Sequence, residues 1–401
     1  MLPSVLKICS RVSTMYKIVL LIDFAEEYSK SLLKGISKYS RDHGPWVFCR
    51  MPLFHRETMG IDGILKWALE WGADGIIGQM YNDKDIVKVV EAGIPLIAQD
   101  FKERFKEIPN ITGAYRETGV MAADYFLKKG FKNFAFYGFK DIVWSRERAE
   151  GFEGRIQRAG YRVHYFEHRK ARTSELWYYK PSSLSSWLKS LPKPVALMAC
   201  DDNQGQHITE ACRLSGLRIP EEVAVLGVDN DVMLCELSDP PLSSIALDVE
   251  KGGYDSAQLL DQMIRNGMTG AYDIVVKPTQ IVTRYSTDIY ATNDTCIATS
   301  LKYIHQNIDK NLQVDDIVKQ VPLSRRALEK RFHDITGYPI YKYIFNLRIE
   351  KFTKKLLETD MSIFEIAIDM GLNDSKNIAR QFRQVKGCTP IEYRQRYLAG
   401  K

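Results

Sequence analysis

The 401-residue chain contains no run of eighteen apolar residues, so no membrane-spanning helix is expected. Its first 15 residues hold Lys7, Arg11 and a short apolar stretch. They lack a longer apolar core ending in a small-residue cleavage site, so no signal peptide is read there. They form either a disordered extension or an untranslated lead to Met15. No CxxC pair occurs, and the seven cysteines are scattered along the chain (Cys9, Cys49, Cys200, Cys212, Cys235, Cys296, Cys388). Such spacing excludes a zinc site and reads as reduced thiols in a cytoplasmic protein. The seven histidines are equally dispersed. With no Ser/His/Asp order and no phosphate-cradling glycine loop, no catalytic residue, metal or cofactor is expected, although clustered carboxylates could in principle serve acid–base chemistry.

What remains is an ordinary globular composition, 45% apolar and 26% charged, on a chain long enough for two or three domains. The net charge of +6 is unevenly placed. Between Cys296 and Lys401 there are 19 Lys and Arg against 12 Asp and Glu, which leaves 37 against 38 in the preceding 295 residues. A basic terminal quarter on a neutral body points to a polyanion partner, or else to a solvated basic surface.

Residues 16–288 alternate apolar runs with amphipathic segments. Lys17–Asp23, Trp46–Met51, Gly75–Gly78, Pro95–Asp100 and Ile111–Tyr115 read as strands, with helices between them. The alternation restarts at Asn133–Gly138 and continues through Tyr161–Phe166, Val195–Cys200 and Val223–Asp229. This predicts an α/β fold with two doubly wound parallel sheets, one per lobe, facing each other across a cleft. Lobe 1 is expected at about 16–130 and 248–278, lobe 2 at about 131–247 and 279–288. Ligands of such sheets bind beyond the carboxyl ends of the strands.

Four strand ends carry a carboxylate: Asp23, Asp100, Asp201 and Asp229. Trp144 and Arg148 lie in the loop and first helical turn after Gly138. Short acceptors, a forked donor and a flat aromatic face are what a polyol needs for its hydroxyls and its C–H surface. The competing reading of each strand-end Asp is a cap for the next helix.

Residues 286–299 are rich in Thr, Ser, Asp and Asn, and a linker is placed at 289–299. Residues 300–401 then form an all-α domain with two helix-turn-helix patterns. Val314–Gln320 and Arg325–Thr336 make the first, with Ser324 as cap. Ile363–Met370 and Ser375–Lys386 make the second, with Gly371 in the turn. Leu328 and Phe332 face inward on one second helix, Ile378 and Phe382 on the other. Their opposite faces carry Arg326, Glu329, Lys330, and Ser375, Lys376, Arg380. Such helices fit the major groove of DNA, and a tandem pair suits two successive grooves on one face.

The run Ile363-Phe-Glu-Ile-Ala, Gly371, Ser375, Phe382-Arg and Gly387-Cys-Thr-Pro390-Ile-Glu-Tyr393-Arg394 resembles the tandem helix-turn-helix domain of AraC/XylS-type regulators. By that resemblance, Arg326, Glu329, Lys330, Ser375, Lys376 and Arg380 fall on base-reading positions. Arg148-Ala-Glu-Gly-Phe152, Asp201-Asp202, and Gly227-Val-Asp229 followed by Pro241-Leu-Ser-Ser244 resemble the periplasmic-binding-protein-like core of LacI/GalR-type regulators. That likeness implies that Arg148, Asp201 and Asp229 face a sugar. Two departures stand out: Ala114 where the superfamily often bears Asp, and Leu247 where many members carry a polar residue. Asp100 is the candidate substitute for the first. Together the resemblances imply a sugar-responsive transcription activator of sugar uptake and catabolism genes. D-xylose is the favoured effector and another pentose or carbohydrate the alternative. DNA with direct half-sites, RNA polymerase and a second copy of the chain are the expected partners. A solute-binding transport receptor is the reading from a different class, and the fused DNA-binding domain weighs against it.

Overall fold

The computed structural model describes residues 15–22, 26–51, 53–80, 82–168, 180–267, 272–288, 294–371 and 375–399. The chain divides into two compact units, Met1–Asp288 and Ile289–Lys401.

The first unit begins with β1 (Lys17–Leu21), α1 (Glu27–His43), β2 (Val47–Met51), α2 (Leu53–Trp71), β3 (Gly75–Gln79) and α3 (Asp83–Glu91). It continues with β4 (Leu96–Gln99), β5 (Asn110–Gly113) and α4 (Tyr115–Lys128). The second lobe holds β6 (Asn133–Phe139), α5 (Val143–Arg158), β7 (Val163–His168), α6 (Pro181–Ser190), β8 (Val195–Ala199) and α7 (Asp202–Leu214). Then come β9 (Val223–Val228), α8 (Val232–Leu237), β10 (Ser243–Leu247), α9 (Val249–Asn266), β11 (Ile274–Val276) and β12 (Pro278–Val282).

Two six-stranded sheets result, ordered β11-β5-β4-β3-β1-β2 and β12-β10-β9-β8-β6-β7. Every pairing is parallel except β10 with β12, which is antiparallel. The central strands are mostly apolar, as in β8 (Val195–Ala199) and β9 (Val223–Val228), because helices cover both faces. All five residues of β8 are fully buried, and burying a side chain such as Leu197 contributes about 1.5–3 kcal/mol. The chain passes between the lobes three times. It crosses after α4, again where β10 leads into α9 (packed on α1), and finally between β11 and β12.

Some boundaries differ from the sequence reading. Helix α5 starts at Val143, so Trp144 stands in its first turn and Arg148 one turn further, rather than in a loop and a first turn. The six-residue α8 and the edge strand β12 are too short to show a period. Helix α2 reaches back to Leu53 across a kink at Gly60, where φ is 66°.

The second unit is all helical: α10 (Thr295–Asn307), α11 (Val314–Val318), α12 (Arg325–Thr336), α13 (Ile340–Glu358), α14 (Ile363–Asp369), α15 (Ser375–Lys386) and α16 (Pro390–Ala399). Residues 295–299 of the expected linker are thus helical. The Asp294 carboxylate caps them, accepting from the Cys296 and Ile297 amides. Two small cores divide the domain. One gathers Leu301, Ile317, Leu328, Phe332 and Ile344, the other Phe352, Ile366, Ile378 and Phe382. The long α13 supplies both, so it is the beam that holds the two motifs in register. Ser324 caps α12 through the Ala327 amide, and Ser362 with Glu365 forms a reciprocal capping box on α14. Gly371 has φ 64°, and a Cβ there would lie 2.5 Å from the Asp309 carbonyl oxygen, so the second turn requires glycine.

Candidate ligand cleft and nucleic-acid interface

The carboxyl ends of both sheets in the first unit bring one polar cluster together. From lobe 1 come Tyr28 in the first turn of α1, Asp100 just after β4 and Tyr115 at the start of α4. From lobe 2 come Trp144 and Arg148 on α5, Asp201 after β8 and Asp229 after β9.

Arg148 is the hub and is only 3% exposed. Its Nη1 donates to the Cys200 carbonyl at 2.5 Å, and its Nη2 donates to Asp229 Oδ1 at 3.2 Å. The guanidinium lies 5.4 Å from the Trp144 ring centroid and 5.5 Å from that of Tyr115. Burial opposes its charge, but Asp229 and the neighbouring acceptors hold its pKa above the ordinary value. Among the described residues its Nε has no hydrogen-bond partner. A buried donor left unmatched costs about 1–3 kcal/mol, which an acceptor oxygen entering the cleft would recover.

The carboxylates have distinct surroundings. Asp100 is 2% exposed and accepts from Thr112 Oγ1 at 2.6 Å and Tyr115 Oη at 2.8 Å. Burial pushes its pKa up to about 6, against the pull of those two donors and of Arg104. Asp201 caps α7, its Oδ1 accepting from the Gln204 amide at 2.7 Å. Burial also pushes it up to about 6. The capping reading of this Asp is therefore realised, and its second oxygen, which accepts only from the Cys200 thiol at 3.9 Å among the described residues, is the one a ligand could reach. Asp229 sits at φ 99° and Asn230 at φ 52°. This strained turn aims Asp229 back at Arg148. Burial raises the Asp229 pKa while Arg148 lowers it. Asp202, second of the acidic pair, is turned away to hold the turn, accepting from the Asp231 amide at 2.7 Å and from the Cys235 thiol.

Asp23 lies outside the described residues. The sequence reading missed Tyr28 and Tyr115. Burial, followed by Asp100 and Asp229, raises the Tyr28 pKa far above its ordinary value, so its phenol stays a neutral donor facing the cluster. Tyr115 is 5% exposed, with its pKa raised chiefly by burial. Their signal was available in part, since each opens a helix that directly follows a strand.

On the second unit, Arg325, Arg326, Lys330 and Arg331 are exposed along α12. Arg325 pairs with Asp315 at 3.0 Å and Glu329 at 3.5 Å, and Arg331 with Asp294 at 3.2 Å. Arg326 and Lys330 carry no ion pair among the described residues, so their charges remain available to an anion. On α15, Arg380 is exposed and its Nη2 donates to Asn377 Oδ1 at 3.2 Å. Ser375 and Lys376 form the first turn of α15, but their side chains lie outside the description.

A periplasmic binding protein-like domain is matched over residues 123–287 and a helix-turn-helix domain over residues 317–396. With its two α/β lobes and its tandem helix-turn-helix unit, the chain belongs to the AraC/XylS-type transcription regulators that carry a periplasmic-binding-protein-like sensor. It is a regulator and not an enzyme. Its similarity to the xylose operon regulatory protein of Escherichia coli (strain K12) is 27% identity over 389 residues, 94% of this chain and 97% of that protein. The regulatory protein SoxS of Salmonella typhimurium (strain LT2) is 31% identical over 100 residues, 25% of this chain and 94% of SoxS. Among solved structures, that of the xylose-binding transcription activator XylR shares the fold with a TM-score of 0.67 at 24% identity, covering 96% of this chain and 98% of the other.

Proposed function

We propose that the protein is a cytoplasmic transcription activator that senses a pentose, D-xylose first, and controls genes for its uptake and catabolism. The cluster around Arg148 carries this reading. A buried fork with a donor unused among the described residues, flanked by Trp144 and facing Asp229 and Asp201, has the chemistry of a polyol site. Arg148, Trp144, Asp229, Asp201 and Asp100 are its proposed ligands, with Asp23 as a sixth. Tyr28 joins them as a neutral donor. The full-length likeness to a xylose operon regulatory protein favours xylose.

On the DNA side, Arg326, Glu329, Lys330, Ser375, Lys376 and Arg380 are the proposed reading residues. Sugar-driven lobe closure acts on a homodimer that engages direct half-sites and recruits RNA polymerase. The proposed domain limits are 16–288 for the sensor and 300–401 for the DNA-binding domain.

A second sugar is favoured by one observation. Asp100 is already committed to Thr112 and Tyr115, and Leu247 packs on the core of lobe 1, so among the described residues this side of the cleft offers few free acceptors. Selection of bound duplexes from random DNA, with and without D-xylose, tests the regulator. Recovery of a repeated half-site whose affinity rises with D-xylose supports it. Equal recovery under both conditions, with a response to another pentose, moves the effector.

A further inference from the structure

The chain leaves the first unit through Thr283, Arg284 and a single 3-10 turn, Tyr285–Thr287. Several hydrogen bonds hold this exit segment, among them Ser286 Oγ to the Val225 carbonyl at 2.6 Å and Thr287 Oγ1 to Ser243 Oγ at 2.7 Å, and two further sets lead back to residues of the ligand cluster.

The first set runs through Arg284, which is 8% exposed. Its Nη2 donates to Asn230 Oδ1 at 3.0 Å and its Nη1 to the Leu242 carbonyl at 3.0 Å. Asn230 follows Asp229 in the positive-φ turn, and its amide donates to Ser244 Oγ at 2.9 Å. The backbone of Arg284 is clamped by Ser243, whose hydroxyl accepts from the Arg284 amide at 2.7 Å and donates to its carbonyl at 2.9 Å. Any rotation of the Asp229–Asn230 turn therefore pulls on Arg284, and the clamp passes that pull to the exit segment.

The second set comes from the other lobe. Tyr125 on α4 shares hydrogen bonds with Thr287 Oγ1 at 2.7 Å and Thr283 Oγ1 at 3.1 Å. Helix α4 in turn lies against the turn of α5 that carries Arg148. A Cβ on Gly119 would sit 2.1 Å from the Arg148 carbonyl oxygen, and one on Gly151 would sit 2.1 Å from that of Arg116. The two backbones meet with no side chain between them, so α4 cannot shift without moving past Arg148.

We infer that Arg284 and Tyr125 are positioning residues that carry the state of the Arg148–Asp229 cluster to the segment entering the DNA-binding unit. Arg284 reports from lobe 2 and Tyr125 from lobe 1. When the lobes move, the segment stays tied to lobe 2 through Ser243 and Ser286 and keeps or loses its Tyr125 partner from lobe 1. Such an element has two discrete arrangements, which a ligand can bias only if it contacts them differently. This inference rests on the sugar-sensor reading above.

The test uses the full chain, D-xylose and a duplex recovered by selection. D-xylose affinity is measured by calorimetry and duplex affinity by fluorescence anisotropy, for the wild type, Arg284→Gln and Tyr125→Phe. In the wild type D-xylose is expected to change duplex affinity about tenfold, within the usual span of a coupling between sites. Both variants are expected to hold the D-xylose dissociation constant within about threefold while losing most of the duplex response. A merely structural residue would move both numbers together, and an undiminished response in both variants overturns the inference. Should Arg284→Gln fail to fold, Tyr125→Phe decides, since it removes one partly exposed hydroxyl.

Absence of D-xylose binding in the wild type contradicts the effector instead. The inference is then decided without ligand, by amide hydrogen exchange over residues 284–288. Exchange about tenfold faster in Tyr125→Phe than in the wild type supports the clasp, and equal rates overturn it.

Discussion

The guanidinium groups of Arg104 and Arg148 both lie over the ring of Tyr115, 5.6 and 5.5 Å from its centroid. Arg104 belongs to lobe 1 and Arg148 to lobe 2. Arg104 also reaches lobe 2 directly, through a two-pronged pair with Glu147 at 2.6 and 2.7 Å, while its Nε donates to Thr112 Oγ1 at 2.7 Å. Thr112 in turn donates to Asp100. One continuous chain of polar contacts thus joins a cleft carboxylate to an ion pair between the lobes.

Arg148→Ala removes the fork, two cation–π contacts and the partner of Asp229. Sugar binding is expected to disappear, while duplex affinity at low salt survives. Thermal unfolding should fall by about 3 kcal/mol, the scale for leaving a buried charge unpaired. Loss of sugar and duplex binding together would contradict a separable ligand site.

Glu147→Gln keeps shape and removes charge. Burial raises the Glu147 pKa, but Arg104 and Arg116 outweigh it and the net shift is downward. Breaking this pair is expected to cost about 1–3 kcal/mol, read as a lower unfolding temperature with and without sugar. An unchanged unfolding temperature would show that the pair contributes nothing between the lobes.

Sugar affinity is expected to weaken as pH falls through about 6, where Asp100 and Asp201 gain protons. The ionised form is the stronger acceptor for hydroxyl donors, so each carboxylate in contact adds to the loss, up to about tenfold per pH unit. Stability of the unliganded protein runs the other way. Both carboxylates bind protons more tightly folded than unfolded, so their burial costs nothing below about pH 4 and its full amount above about 6. Calorimetry at pH 5, 6 and 7.5 checks the first statement, and a flat affinity would remove both carboxylates from ligand contact.

Arg380→Ala and Lys330→Ala are each expected to weaken the selected duplex by about 1–3 kcal/mol if the side chain reads a base. Anisotropy across single-base variants of the duplex separates the cases. An unchanged base preference with a shallower salt dependence would make the residue a phosphate contact.

Much of this architecture is legible in the sequence because local and tertiary forces agree there. Helices α12 and α15 have the expected bounds, since Ser324 and the Leu328/Phe332 and Ile378/Phe382 spacings mark cap and core together. The parallel sheets follow from apolar runs such as Val195–Ala199. The cleft was only half legible. Asp100, Asp201 and Asp229 stand out as strand-end carboxylates, but Tyr28 and Tyr115 gain their meaning from Asp100, Arg104 and Arg148, which converge only in the folded unit. The Arg104–Glu147 pair spans 43 residues and two lobes, and no local pattern encodes it.

Calorimetric titration of the full chain with D-xylose, then L-arabinose, D-ribose and D-glucose, tests the central claim most directly. Saturable binding of D-xylose in the wild type, absent in Arg148→Ala, is the predicted result. Binding of none of the four sugars, or D-xylose binding that survives Arg148→Ala unchanged, would contradict the account of the cleft.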